Sequence, residues 1–490
     1  MILYNEEEII KLQGKKMNGL FKKFIEFAIG NGIVLILGFI SSPIISRLIS
    51  PEQLGKASMF TTFTGLIIVV VMMGIDQAYI RYYYDEDENN RGGLLGKSLF
   101  ITIFLNLVVT AVLLLFYKQV SIFITDEVSF PLVALILVHT VFSILGNFAM
   151  IHVRMKQKGK LYSLLNVVNK AGYLIFVGFL FVFFKDNYMT IIIATILANL
   201  LKTIWAIISE KKDWKKINLA SKVNTSTKEL VTYGMPFIFS MAITWVFQSV
   251  DRISLRIFSS YEEIGLYTGA MTIIALLNNF QGAFTTFWTP VAYEKYKTNP
   301  EDTKFFTNIN QIVSVGMLLL SVGLIATKDI VIGLLGREYR GAQFIFPFLV
   351  FMPIMYTISE TTVLGINFKK KTKYHVYIAT FSAIFNIIGN LILVPSYGAK
   401  GAAISTGLAY IIFFITRTYY GKKYYNIKLY MGRFWICTTT VYILAAYSSI
   451  YEFNYIIVIL SLLSIFIIVI MYRDIIKSLY ESIFKKRETL

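Results

Sequence analysis

The side chains best suited to chemistry in this sequence are charged residues that interrupt long apolar segments. Such residues are costly to bury, so they usually face a cavity or a partner. Arg252 and Arg256 are four residues apart and share one face of a helix. Two guanidinium groups on one face suit a diphosphate, because each can bind phosphate oxygens through paired hydrogen bonds. Asp251 points away from them and is either a balancing charge or the ion-pair partner of a basic residue on another helix.

Other charged residues in apolar segments extend this candidate site. Arg47 lies near the end of its segment, where it reaches either the cavity or the lipid headgroups. Lys170 is a further candidate to face the cavity, and Asp76 and Glu360 are each a counter-charge or a cation site. The predicted site therefore combines a basic, substrate-binding set with an acidic set for charge balance or cation coupling. The basic set is Arg47, Lys170, Arg252 and Arg256, and the acidic set is Asp76, Asp251 and Glu360.

The elements that must position these residues are membrane-spanning helices. Of the 490 residues, 56% are hydrophobic and 16% are charged, whereas soluble domains are about 25% charged. Continuous apolar windows of about 20 residues, the length of a helix that crosses a bilayer, recur along the whole chain. Their limits are 27–48, 57–80, 98–116, 130–151, 161–184, 188–208, 230–257, 265–292, 306–326, 342–368, 376–394, 401–420, 434–450 and 453–472. The sequence predicts an all-α polytopic membrane protein with about fourteen transmembrane helices.

The basic residues indicate the orientation. Most of the 47 Lys and Arg residues fall in alternate loops and in the two terminal segments. By the positive-inside rule both termini are predicted to be cytoplasmic, and the predicted location is the plasma membrane. The run 369–373 lies between two spans on this inner face, so it is interpreted as topogenic, with membrane lipids rather than nucleic acid as its neighbours. The N-terminus lacks the features of a secretory signal, so the first apolar segment is expected to remain.

Several kinds of chemistry are not expected. Cys437 is the single cysteine, and the three histidines lack metal-ligand spacing, so no metal or cofactor is predicted. A phosphate-binding loop of the Gly-x-x-x-x-Gly-Lys-Ser/Thr type does not occur, which argues against ATP hydrolysis by this chain. The predicted outer loops are short for a membrane polymerase or glycosyltransferase. We therefore expect a transporter rather than an enzyme.

An internal repeat indicates two similar halves. Residues 46–55 and 255–265 match in Arg, Ser, Glu and Gly, with one extra residue in the second copy. The second copy follows six spans after the first, so both run in the same direction through the membrane, which fits two parallel six-helix lobes. The predicted organisation is a cytoplasmic N-terminal arm, an N-lobe, a linker, a C-lobe, and a C-terminal helix pair with a cytoplasmic tail. Their limits are 1–26, 27–208, 209–229, 230–420 and 421–490.

Four segments carry a resemblance to a known family. They are 43–55, 251–255, 263–267 and 395–403, which read PIISRLISPEQLG, DRISL, EIGLY and PSYGAKGAA. The chain resembles the polysaccharide-export branch of the multidrug/oligosaccharidyl-lipid/polysaccharide flippase superfamily over its first twelve spans. The resemblance implies a flippase that moves undecaprenyl-diphosphate-linked oligosaccharide, as in O-antigen or capsule assembly, to the outer leaflet by alternating access. H⁺ or Na⁺ is a possible coupling ion, and polysaccharide polymerase and chain-length proteins are possible partners.

Two alternatives stay open. One is a cation-coupled drug or metabolite exporter of the same superfamily, which would use a carboxylate-centred cavity rather than an arginine-rich one. The other is a membrane polysaccharide polymerase or glycosyltransferase, which the short outer loops disfavour. The sugar, the polymer and the coupling ion are not encoded in any recognisable motif.

Overall fold

A computed structural model describes residues 32–217 and 223–484 as helices joined by short connections, with no strand in these two ranges. The predicted N-terminal arm, Glu26 and linker residues 218–222 lie outside them. The helices before the linker are α1 (Gly32–Leu48), α2 (Pro51–Met72), α3 (Ile75–Tyr82), α4 (Arg91–Leu115), α5 (Tyr117–Thr125), α6 (Phe130–Met155), α7 (Gly159–Phe184), α8 (Tyr188–Ser209) and α9 (Lys211–Trp214). After it come α10 (Thr227–Phe258), α11 (Tyr261–Thr298), α12 (Thr303–Ala326), α13 (Lys328–Gly333), a 3-10 helix (Arg337–Phe344), α14 (Phe346–Leu349), α15 (Phe351–Glu360), α16 (Leu364–Phe368), α17 (Lys373–Tyr424), α18 (Met431–Ser448), α19 (Tyr455–Met471) and α20 (Arg473–Phe484).

The all-α membrane fold predicted from the sequence is confirmed. Eight of the described helices are long and apolar enough to cross a membrane by themselves, and a ninth span forms if the bent pair 337–360, with its 59° bend, is counted as one. Each predicted span coincides with helical structure, but several of these helices are short or broken. The count of fourteen therefore stays a prediction.

Backbone breaks explain why some spans differ from uniform helices. The second predicted span is divided into α2 and α3 at Met73 and Gly74, which have positive φ angles of 46° and 70°. The eleventh and twelfth spans form α17, which is interrupted at Gly398, where φ is 53°. Positive φ is accessible to glycine because it has no Cβ atom. The chain can therefore turn sharply at these points while remaining helical on either side.

The chain divides into two compact units. The first contains 1–41 and 59–245, and the second contains 42–58 and 246–490. The divisions fall inside α1, α2 and α10, whereas the sequence suggested a boundary in the loop between the sixth and seventh spans. Each of these three helices therefore contributes to both units. The predicted lobe limits remain a prediction.

In the first unit, the linker is attached to the loop that follows α3. Glu86 is buried, and its Oε1 accepts hydrogen bonds from the backbone N and the hydroxyl of Thr225, both at 2.6 Å. Lys97 also donates to the carbonyl of Thr225 at 3.0 Å. These charge-assisted bonds hold the start of α10 against the α3–α4 region.

In the second unit, the first turns of α2 and α11 cross through small residues. A Cβ atom on Gly55 would lie 3.2 Å from the backbone N of Gly265 and would collide with the carbonyl of Tyr261. A Cβ atom on Gly265 would in turn collide with the backbone of Pro51. We call this contact the small-residue crossing. It brings together the two glycines that the sequence repeat paired, because each lies four residues after the start of its helix.

Hydroxyl groups extend the small-residue crossing on both sides. Ser58 and Thr268 are each seven residues after the start of their helix, and their hydroxyl oxygens are 3.0 Å apart. The hydroxyls of Ser42 and Thr272 are 2.6 Å apart. Small and hydroxyl-bearing residues allow close approach and hydrogen bonding between helices in an apolar environment. The crossing is thus a specific interface rather than general apolar packing.

Gly265→Ala is expected to lower the apparent melting temperature of the detergent-solubilised protein. The added methyl group collides with backbone atoms of Pro51, which cannot move aside as a flexible side chain could, and overpacking of this kind costs about 1–3 kcal/mol. The matched control is Gly316→Ala on α12, where a Cβ atom would meet nothing within 4 Å. An equal effect of the two substitutions would contradict the close approach of α2 and α11.

Candidate functional site

The most completely enclosed charged residue among the predicted site residues is Asp251. Its side chain is only 4% exposed. Oδ2 accepts hydrogen bonds from the Tyr267 hydroxyl at 2.6 Å and the Thr406 hydroxyl at 2.7 Å. Oδ1 accepts from the side-chain amides of Asn390 at 2.8 Å and Asn386 at 3.3 Å. We call this group of five side chains the carboxylate cage.

Three helices position the carboxylate cage. Asp251 lies on α10 and Tyr267 lies on α11. Asn386 and Asn390 are four residues apart on α17 before its break, so they share one helical face. Thr406 lies on α17 after the break, where the returning helix brings its hydroxyl to the same carboxylate. The cage therefore depends on the sharp turn in α17.

All the hydrogen-bond donors in the carboxylate cage are neutral. Within residues 32–217 and 223–484, no Lys, Arg or His lies within ion-pair distance of Asp251, so the alternative of pairing with a basic residue on another helix does not describe this structure. The Oδ1 atom of Asn390 is buried and has no hydrogen-bond partner. The carboxylate oxygens and the hydroxyl oxygens of Tyr267 and Thr406 offer the oxygen ligands that a proton or a small hard cation prefers.

The three predicted arginines lie in the second unit. Arg252 is half-buried, and its Nε has no hydrogen-bond partner in the described part of the chain. Arg256 stacks on the ring of Tyr261, with 4.8 Å from Cζ to the ring centroid. Arg47 is exposed and donates to the carbonyl of Pro43 on its own helix at 3.1 Å. Arg252 is therefore the predicted phosphate ligand whose donor capacity is least used within the protein.

Glu360 has a basic partner that the sequence analysis missed. Arg417 on α17 donates to Glu360 Oε1 at 2.8 Å and to the Ser359 hydroxyl at 2.7 Å. Its guanidinium also lies 5.0 Å from the ring centroid of Tyr356. Both charged residues are buried. Of the two roles predicted for Glu360, this arrangement favours that of counter-charge.

The remaining predicted site residues lie in the first unit. Lys170 packs against α1, because a Cβ atom on Gly38 would lie 3.8 Å from Lys170 Cε. Its Nζ is 5.6 Å from the ring centroid of Tyr173, and no carboxylate among the described residues pairs with it. Asp76 is buried and lines a separate cavity at the junction of α3, α6 and α7. Neither residue belongs to the carboxylate cage.

An ion-pair network in the first unit joins the ends of α6 and α8. Lys156 Nζ contacts Glu210 Oε2 at 2.8 Å and also pairs with Asp213, while Lys158 donates to Glu210 Oε1 at 2.5 Å. Burial opposes ionisation of Glu210, but hydrogen bonds from the two lysines outweigh it and lower the pKa of Glu210 below its usual value. The pKa of Asp213 is lowered in the same way, with hydrogen bonds from Lys156 and His152 outweighing burial. Both carboxylates are therefore charged at neutral pH.

This network contains three side chains of the types that bind metal ions, but a lysine ammonium contacts its two carboxylates. Ligand atoms of His152, Glu210 and Asp213 lie within 4.8 Å of one another. The ammonium of Lys156 contacts both carboxylates and supplies the positive charge that a metal would supply. His152 is further held by the hydroxyl of Tyr79, 2.9 Å from its Nδ1. The arrangement is accounted for as a structural junction of α3, α6 and α9.

Long apolar helices that enclose a carboxylate cage and carry half-buried arginines define the class of this protein as a polytopic membrane protein with charged side chains inside its spans. The sequence profile of the family described as "Polysaccharide biosynthesis protein" matches residues 20–295, more than half of the chain. The chain belongs to this family, as the resemblance in its sequence predicted.

Two relatives are similar to this chain in sequence, and both come from archaea. One is the probable low-salt glycan biosynthesis flippase Agl15 of Haloferax volcanii, 22% identical over 260 residues, or 50% of this chain and 54% of the relative. The chain thus spans about half the length of that relative. The other is the uncharacterized membrane protein MJ1068 of Methanocaldococcus jannaschii, 22% identical over 403 residues, or 77% of this chain and 79% of the relative.

Two solved structures share the fold. The lipid II flippase MurJ in an inward closed conformation matches with a TM-score of 0.69 and 18% identity, over 92% of this chain and all of that chain. A multidrug resistance MATE family transporter in an inward-facing conformation matches with a TM-score of 0.55 and 15% identity, over 82% of this chain and 97% of that chain. At these identities the likeness shows a common fold.

Proposed function

We propose that this protein moves undecaprenyl-diphosphate-linked oligosaccharide from the inner to the outer leaflet of a bacterial plasma membrane by alternating access. The substrate would be an O-antigen, capsule or exopolysaccharide repeat unit. The observation that carries the proposal is membership of the polysaccharide biosynthesis family together with Arg252, whose Nε is unused in a half-buried position. A named glycan flippase among the relatives supports a lipid-linked sugar as substrate.

In this proposal the basic side chains bind the diphosphate. Arg252 and Arg256 share one face of α10, as required for joint binding of one group. Arg256 is oriented by the ring of Tyr261, over which its guanidinium stacks. Arg47 and Lys170 would contribute further positive charge as the substrate passes. The sugar portion would be selected by shape and hydrogen bonding elsewhere on the path.

The carboxylate cage would couple transport to a cation gradient. Asp251 forms no ion pair with the described residues, so binding of H⁺ or Na⁺ to its carboxylate would change the balance of interactions among α10, α11 and α17. A ligand shifts a conformational equilibrium only by its differential affinity for the two states. The coupling ion would therefore bind more tightly when the cage is assembled than when these helices separate.

A cation-coupled drug or metabolite exporter is the second candidate, and two observations favour it. The fold is shared with MATE transporters, and the carboxylate cage has two hydroxyl oxygens beside the carboxylate that can bind a cation with it. The two candidates differ in their need for arginine, since a diphosphate requires cationic ligands and a hydrophobic cation is repelled by them. Both candidates are transporters, and neither makes or breaks a covalent bond.

Arg252→Ala and Arg256→Ala are each expected to reduce the initial rate of flipping at least about tenfold, because a charge-assisted hydrogen bond to phosphate contributes about 1.5–3 kcal/mol. The measurement uses proteoliposomes with fluorescently labelled lipid-linked oligosaccharide and scores its accessibility in the outer leaflet. Arg337→Ala is the matched control, since Arg337 is exposed and lies outside the predicted site. Full activity of both variants at normal protein content would exclude the diphosphate clamp.

We propose further that both termini are cytoplasmic. Polysaccharide polymerase and chain-length proteins would act on the flipped substrate. The basic loops on the cytoplasmic side would contact anionic lipid headgroups. Accessibility of a terminal tag to protease in intact spheroplasts and in inverted vesicles tests the orientation.

A further inference from the structure

The first unit contains a cavity of about 170 Å³ whose walls carry opposite charges. Asp76 and Gln77 of α3, Asn147 and Arg154 of α6, and Tyr162 of α7 line it together with apolar side chains. It is remote in the chain from the carboxylate cage and uses none of its residues. The proposed transport function does not require it.

Asp76 is an incompletely satisfied charge in this cavity. The residue is only 6% exposed. Its Oδ2 accepts a hydrogen bond from Gln77 Nε2 at 2.8 Å, whereas its Oδ1 is buried and has no hydrogen-bond partner. A buried carboxylate oxygen without a donor is costly. A ligand that donates a hydrogen bond or carries a positive charge would therefore satisfy Asp76 Oδ1.

Arg154 also lines the cavity and carries the opposite charge to Asp76. It is exposed at the end of α6 and, within the described residues, forms no ion pair with Asp76 or with any other carboxylate. Two opposite charges that line one cavity without pairing are best satisfied by a ligand with both charges. An inorganic cation would leave the guanidinium without an anion, and a simple anion would leave Asp76 unsatisfied.

The level of the cavity corresponds to lipid headgroups. Arg154 lies in the last turn of α6, and Arg81 lies in the last turn of α3, where it is followed by three tyrosines. Tyrosine and arginine are enriched where apolar helices meet the headgroup layer. With a volume of about 170 Å³, the cavity accommodates a short chain of a few heavy atoms.

We propose that this cavity binds an ammonium and a phosphate joined by a short linker, as in the headgroup of phosphatidylethanolamine. The ammonium donates to Asp76 Oδ1, and the phosphate accepts from the guanidinium of Arg154 at the rim. Asn147 and Tyr162 supply polar wall around the linker. This is a binding site within the first unit, separate from the predicted substrate path.

The test is binding to the purified, delipidated full-length protein, measured as the shift in apparent melting temperature and as lipid adducts in native mass spectrometry. Phosphatidylethanolamine is expected to bind at least about tenfold more tightly than phosphatidylglycerol, which has the phosphate without the ammonium. Asp76→Asn is expected to abolish this preference, and Arg154→Gln to weaken both lipids. Glu88→Gln, an exposed carboxylate in the loop after α3, is the control and is expected to leave binding unchanged.

Soluble phosphoethanolamine distinguishes the source of the ligand. A shift with the soluble compound alone supports the ammonium-phosphate chemistry without a lipid, and a shift only with the lipid supports a membrane headgroup. Equal binding of the two lipids to the wild type, an unaltered preference in Asp76→Asn, or a comparable shift with NaCl overturns the proposal. Should Asp76→Asn fail to fold, unchanged phosphatidylethanolamine binding by Arg154→Gln overturns it equally.

Discussion

Asp251→Asn is expected to abolish the stimulation of transport by a cation gradient and to reduce the initial rate at least roughly tenfold, which corresponds to about 1.4 kcal/mol or more. The asparagine side chain has nearly the same shape, and its carbonyl can still accept from Tyr267 and Thr406. Its amide nitrogen replaces the oxygen to which Asn386 and Asn390 donate, and rotation of the Asn390 amide presents the unpaired Oδ1 of that residue as an acceptor. The negative charge that would bind H⁺ or Na⁺ is lost. The effect should therefore fall on coupling rather than on folding.

Proteoliposomes allow the Na⁺ and pH gradients to be imposed separately in this experiment. The control is Glu262→Gln, an exposed carboxylate in the first turn of α11. Thr406→Val is an informative companion, because it removes one oxygen of the carboxylate cage while keeping the charge, and it should raise the cation concentration needed for half-maximal rate. If the Asp251→Asn protein retains gradient-stimulated transport, the carboxylate cage has a structural role and does not couple transport to a cation.

The second large effect is expected from a disulfide across the small-residue crossing. The hydroxyl oxygens of Ser58 and Thr268 are 3.0 Å apart, so cysteines at these positions bring two sulfur atoms close enough to bond. Helix α2 passes from the second unit into the first, so a covalent link between α2 and α11 would restrain the movement of α2 that the proposed alternating access requires. Oxidised Ser58→Cys/Thr268→Cys protein should lose nearly all transport, and a reducing agent should restore it.

A second pair of hydroxyls, which joins segments that lie wholly within the second unit, shows whether any cross-link would be inhibitory. The hydroxyls of Thr362 and Thr418 are 2.9 Å apart and both residues are buried. A disulfide there joins helices that we expect to move together, so transport should persist after oxidation. The native Cys437 is replaced by Ala in both backgrounds. Equal inhibition by both disulfides, or activity of the oxidised Ser58→Cys/Thr268→Cys protein, would contradict an opening at the crossing.

The sequence by itself predicted the helical segments and the repeated motif. Apolar windows are long and continuous because every backbone polar group in lipid must be satisfied within the helix, and this constraint is visible residue by residue. The pairing of Gly55 with Gly265 was also visible as a repeat, and the structure places the two glycines in contact at the small-residue crossing. The repeat did not show why glycine is needed at these two positions. The structure gives the reason: the two backbones approach so closely that a Cβ atom would collide with the facing helix.

The composition of the carboxylate cage was beyond sequence reasoning. Asp251 was noticeable because a charge in an apolar segment is rare. Tyr267, Asn386, Asn390 and Thr406 are neutral, so none of them stands out from the other polar residues in the spans. The spacing of Asn386 and Asn390 on one helical face was the one available signal, and it did not indicate which carboxylate they face.

The sequence therefore determined which segments lie in the membrane and which residues are too costly to be there without a role. The tertiary structure alone decided which partner each of those residues has. Glu360 pairs with Arg417, whereas Asp251 is held by neutral donors and Asp76 faces a cavity. The reason is physical: the cost of burying a charge depends on the residue, but its compensation depends on side chains that are distant in sequence and meet only through the turns at Gly74 and Gly398.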